Sequence, residues 1–156
     1  MSIAQQIAKQ LREVHFGGNW TAVNLKETLK DVTYQQATAK IYDLNTIAVL
    51  TFHINYYVGA VLKVLRGEPL TASDKLSFDV ANISSEEEWQ NLVRRVMDEA
   101  EVFADEIEKL DDSKLSQNLA DPKYGNYFRN LTGIIEHSHY HLGQIVLIRK
   151  IIRGAS

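Results

Sequence analysis

Cysteine is absent from the chain, which excludes disulfide stapling, thiolate metal ligands and a cysteine nucleophile together. Proline occurs twice and glycine eight times in 156 residues, so few breaks are forced and long helices are permitted wherever the pattern asks for them. Charge is nearly balanced at a formal −3. No Lys/Arg block is present that could neutralise a run of phosphates, which leaves nucleic-acid binding without an electrostatic footprint. No run reaches the roughly 18 apolar residues of a membrane span. The opening residues carry neither a basic leader nor an apolar stretch of signal-peptide length, so a cytoplasmic address and no membrane association are expected.

What remains is an ordinary globular composition. Hydrophobic residues make up 45% and charged residues 24%, enough apolar material for one core and too little net charge for wholesale disorder. The length predicts a single domain over residues 1–156, and no repeat of 20 to 50 residues points to a solenoid.

The apolar pattern is helical. Ile3, Ile7, Leu11 and Val14 recur at spacings of four and three, which predicts a helix from about Ser2 to Val14 ending at Gly17 and Gly18. From Asn19 to Asp43 the pattern is thin, with a turn or two of helix expected in Val23–Leu29 and another in Thr33–Ala39. A second long helix is expected from an N-cap at Asn45 to about Arg66, stopped by Gly67. Its apolar residues lie around most of its circumference, so it should be central. Residues 68–83, rich in Pro, Ser, Asp and Thr, read as a crossover connection. Ser84 and Ser85 stand three residues ahead of Glu87 and Glu88, a capping-box signal before the amphipathic run Trp89, Leu92, Val96, Ala100, Phe103, Ile107 and Leu110. After a polar stretch from Asp111 to Tyr124, a last helix runs from about Tyr127 to Arg153, with Leu131, Ile134, Ile145, Ile148 and Ile152 inward and Gly154 at its end. The expected fold class is all-α, a four-helix bundle in which the long connection permits a crossover.

Three of the five histidines crowd into His137-Ser138-His139-Tyr140-His141. On a helix, residues four apart are separated by about 40° around the axis and about 6 Å along it, so His137 and His141 can aim both imidazoles at one point while His139 looks elsewhere. They share the apolar face of Ile134, Ile145 and Ile148 and should therefore point into the bundle. His53 lies in the middle of the most hydrophobic helix. Three polar rings in one core require partners, and one divalent cation supplies a common one. His53, His137 and His141 are thus the candidate metal ligands. His15, next to Phe16 and Gly17, is expected at the surface or as a cap, His139 exposed or behind a ligand, and Glu136 solvated. Gln144, one turn beyond His141, could orient a ligand or make an interhelical hydrogen bond. Tyr56, Tyr57, Glu136 and Asp98 are candidate acids or bases, and none is singled out by spacing; the catalytic residues stay unassigned.

The stretches Asn45–Ile54 and His137–Ile145, with His-x-x-x-His-x-Gly-Gln paired to an upstream helical histidine, resemble the DinB/YfiT-like superfamily of four-helix metalloproteins. The resemblance covers nearly the whole chain in helix order. It implies one DinB-like helical bundle arranged up-down-down-up, with His53, His137 and His141 on a nickel, zinc or similar ion that keeps positions open. It also implies a metal-dependent transferase using a low-molecular-weight thiol, or a metal-dependent hydrolase. Independently of the family, three neutral ligands leave the ion's charge uncompensated and at least one position free, as in catalytic and not structural zinc sites. The expected partners are a small-molecule substrate, a small thiol and a second copy in a homodimer. A non-catalytic metal-binding stress-response protein and a metal-free structural bundle are the alternatives from other classes.

Overall fold

The computed structural model describes residues 1–154, and among them every regular element is helical. Four helices are long: α1 (Ile3–Phe16), α4 (Ile47–Leu65), α5 (Glu86–Glu108) and α6 (Tyr127–Gly154). Two are short, α2 (Leu25–Leu29) and α3 (Tyr34–Thr38), and they fall where the thin pattern suggested single turns. Helix α1 packs on α5 and α6, and α4 packs on the same two.

Helix α1 opens with a capping box in which the Ser2 hydroxyl accepts from the Gln5 backbone and the Gln5 side chain accepts from Ser2. Its start is tied to the α5–α6 connection, because the Asp112 carboxylate accepts the backbone N–H groups of Ile3 and Ala4, both at 2.9 Å. The buried stripe is Ala4, Ile7, Ala8, Leu11, Val14 and His15, whereas Ile3, expected inside, is 49% exposed. The inward face is displaced by one residue toward the alanines. The helix ends at Gly17, whose φ of +115° is a left-handed conformation that glycine adopts without strain.

Thr46, and not Asn45, caps α4, its hydroxyl accepting the Val49 N–H. At 19 residues, α4 is by length and composition alone long and apolar enough to cross a membrane, although Thr51, His53, Asn55 and Lys63 interrupt its apolar run. Most of that apolar window, 56%, is buried inside the fold. Helix α5 begins at Ser85, whose hydroxyl accepts from the Glu88 backbone, while the Glu88 carboxylate reaches back to Ser84. Glu86, Glu87 and Glu88 complement the positive end of its dipole. Short 3-10 turns at Asp112–Ser116 and Pro122–Tyr124 interrupt the polar stretch before α6.

The core forms two clusters. One joins Ile7 and Leu11 to Val58, Leu62, Phe103, Ile107 and Leu131. The other joins Val14, Leu25 and Leu29 to Ile47, Leu50, Ile54, Trp89, Ile145 and Ile148. Along α4 and α6 the boundary between them carries the buried polar residues His53, Asn55, Ser138 and His141. The candidate ligands belong to this polar layer, bracketed by apolar packing on both sides.

Candidate metal centre

Helix α4 delivers His53 and helix α6 delivers His137 and His141, and one ligand atom from each lies within 4.8 Å of the others. The three are close enough to hold a metal ion. The ring centroids are 4.7 Å apart for His53 and His137, 4.6 Å for His53 and His141, and 4.5 Å for His137 and His141. His53 and His141 are buried and His137 is half-buried. The i, i+4 pair converges as helix geometry requires, and the third ring meets it because α4 packs against α6.

Hydrogen bonds fix two of the tautomers. His53 Nδ1–H donates to the Ser77 carbonyl at 3.0 Å, and His141 Nδ1–H donates to Gln144 Oε1 at 2.6 Å. Both rings therefore present an unprotonated Nε2. The Nε2 of His137 lies 2.9 Å from that of His53, and its buried Nδ1 has no hydrogen-bond partner. Two nitrogens held on one ion by bonds of about 2.0–2.1 Å are about 2.9–3.4 Å apart at right-angle to tetrahedral geometry. The His53–His137 pair fits a divalent cation on this spacing, and His141 offers a third imidazole donor within 4.8 Å of both.

Burial favours the neutral form of His137 and of His53. It pushes the His137 pKa down to about 4, helped by the neighbouring His141 and His53 rings. For His53, burial lowers the pKa and His141 adds to it, against the opposing bond to Ser77. An uncharged imidazole is the form that ligates a cation.

Gln144 thus serves a ring on its own helix; the interhelical bond considered for it does not form. His139 is half-buried, its Nδ1–H donating to the Ile135 carbonyl at 3.0 Å. His15 corrects the sequence expectation: it is 0% exposed, with Nδ1–H donating to the Leu11 carbonyl at 2.8 Å and Nε2 without a partner. Tyr57 touches the centre, edge-on to His53 and His137, and its hydroxyl donates to Asp74 at 2.7 Å. Burial, then that bond, raises its pKa. Tyr56 accepts the Ser73 N–H at 2.9 Å. Glu136 is exposed beside His137, and Asp98 borders a different cleft with Gly59 and Lys63.

Two contributors were not foreseen. Ser77, 0% exposed, supplies the carbonyl that orients His53, and Phe78 stacks on the His53 ring at 3.8 Å and 13°. The available signal was weak, since Leu76 and Phe78 are two of several apolar residues in that connection, with Leu70, Val80 and Ile83. On the other side of the centre, His137 and Tyr57 open onto a cleft of about 610 Å³ walled by Val61 and Ile134, a size that suits a small organic molecule.

Comparison with protein-family models, curated proteins and solved structures gives no significant match to this chain.

Proposed function

We propose that His53, His137 and His141 hold one divalent metal ion, nickel or zinc, and that the protein is a metal-dependent transferase that joins a low-molecular-weight thiol to a small electrophile. The observation that carries this reading is the convergence of the three rings, two of them with Nε2 freed by bonds at Nδ1. Three neutral protein ligands match an open catalytic site better than a closed structural one. When bound, such an ion supplies the Lewis acidity that lowers the pKa of a thiol or water brought against it.

The remaining work belongs to the chain. Ser77 and Gln144 hold the ligand rings in orientation, Phe78 shields one face of His53, and the cleft beside His137 admits the reactants. With no cysteine in the sequence, an external thiol meets no internal competitor for the centre. The transfer forms a sulfur–carbon bond, releases the leaving group with the displaced electron pair, and gives the thiol proton to solvent.

The same reading takes the fold as a DinB-like four-helix bundle arranged up-down-down-up. The core clusters support it. The first halves of α1 and α6 share one cluster with the second halves of α4 and α5, and the second cluster reverses the pairing.

The test is elemental analysis of protein purified without added metal, followed by thiol conjugation to a generic aryl halide with and without chelator. Near-stoichiometric metal and chelator-sensitive conjugation, both lost in His53→Ala, His137→Ala and His141→Ala, are expected. Metal without chelator-sensitive turnover would leave a binding protein, and no metal would leave a structural bundle.

A further inference from the structure

The cleft beside His137 contains one cationic and one anionic side chain, Arg129 and Glu136, and neither side chain has an ion-pair or hydrogen-bond partner among the described residues. Both are exposed. They are seven residues apart on α6, which places them on one face about 10 Å apart along the axis. Glu136 is at the end next to His137, and Arg129 is at the far end. The lining also includes the apolar Val61 and Ile134, each 6% exposed, and Phe128, at 46%, beside the uncharged polar Asn130 and Thr132.

We infer that this cleft binds a small organic carboxylate with an apolar body, its carboxylate on Arg129 and its opposite end at His137. The inference rests on the metal-centre reading in taking the cleft as the route by which the electrophile reaches the three histidines. A guanidinium presents paired N–H donors that match a carboxylate fork, and such charge-assisted bonds are stronger than neutral ones. Glu136 repels an anion from the His137 end, so the cleft has an electrical direction that orients the ligand. With Glu136 offsetting Arg129 the cleft is formally neutral, which suits a singly charged carboxylate better than a doubly charged phosphate monoester. The apolar residues of the lining take the body of the ligand out of water.

The experiment uses the full chain stripped of metal by chelator, so that a carboxylate has no ion to ligate. Phenylbutyrate and its uncharged amide, phenylbutyramide, are titrated by calorimetry, with the amide resonance of Gly133, which lines the cleft, followed by NMR to place the ligand. Phenylbutyrate is expected to bind about tenfold tighter than the amide at low salt, with the difference shrinking as ionic strength rises. Arg129→Gln should abolish the preference, and Glu136→Gln should keep it while tightening phenylbutyrate. Equal affinities for the two probes, an Arg129→Gln variant that still prefers the carboxylate, or a Gly133 resonance that does not move would overturn the inference. Because no metal is present, its failure is separate from a failure of the metal analysis.

Discussion

The Nε2 atoms of His53 and His137 stand 2.9 Å apart although 84 residues separate them in the chain. Two imidazole nitrogens at that distance share either a proton or a cation. Either choice leaves the buried Nδ1 of His137 without a hydrogen-bond partner, as an acceptor in the first case and as a donor in the second, a cost of about 1–3 kcal/mol. The 2.9 Å separation is compatible with bonds from both nitrogens to one ion.

Zinc should stabilise the fold. At free zinc about 1,000 times its dissociation constant, a site present only in the folded chain adds about 4 kcal/mol. Thermal unfolding with and without zinc is expected to show a raised midpoint in the wild type and none in His137→Ala, whose half-buried position lets the helix tolerate the change. A wild type indifferent to zinc would count against the centre.

Gln144 acts through His141. Removing its carbonyl in Gln144→Ala frees the His141 ring to rotate, and metal affinity should fall about 10- to 100-fold. Gln144→Glu, which keeps an acceptor, should retain most of it. Competition against a chromophoric chelator reads both, and an alanine variant that binds like the wild type would refute the assignment.

His15 makes stability depend on pH in a defined direction. Burial, opposed by the bond to Leu11 and aided by His139, pushes its pKa down to about 4 from 6.5. The folded value lies below the unfolded one, so the contribution is complete above about pH 6.5 and is lost as pH falls toward 4. The size is on the order of 3 kcal/mol. Urea midpoints measured across that window should fall steeply in the wild type and less steeply in His15→Phe, with the remaining slope reporting His137 and His53. An identical slope in both proteins would exclude His15 as the titrating group.

Trp89 joins α5 to the loop after α2. It is 0% exposed and its Nε1–H donates to the Val32 carbonyl at 2.7 Å. Trp89→Phe removes that donor and leaves a gap, which should destabilise the protein by about 1–3 kcal/mol in denaturant titration. The emission left in this variant comes from Trp20, 101% exposed, and should be red-shifted and fully quenched by iodide. Emission that remains blue and protected would contradict the packing.

The long helices were legible because each carries a periodic apolar face with its own start and stop residues. Helix α5 is the clearest case, with Ser84 and Ser85 ahead of the glutamates and Trp89 to Ile107 on one stripe. In α1 the reading favoured large residues, placing Ile3 inside and His15 outside. The actual stripe passes through Ala4, Ala8, Leu11 and His15, whose spacings of four, three and four are helical. Weighting alanine as an inward residue would have found His15. The pairing of His137 with His141 was legible for the same local reason.

Helical periodicity and neighbour chemistry are properties of short stretches, and so the sequence alone determined which segments coil, which faces turn inward and that two histidines of α6 share a direction. It could not set which carbonyl meets His53, that Phe78 lies flat against that ring, or that Arg129 and Glu136 border one cleft with Tyr57. Those contacts join residues from separate elements, and no spacing rule spans a connection such as 66–85. Only the packing of α4 against α6, with the connection folded over His53, brought them together.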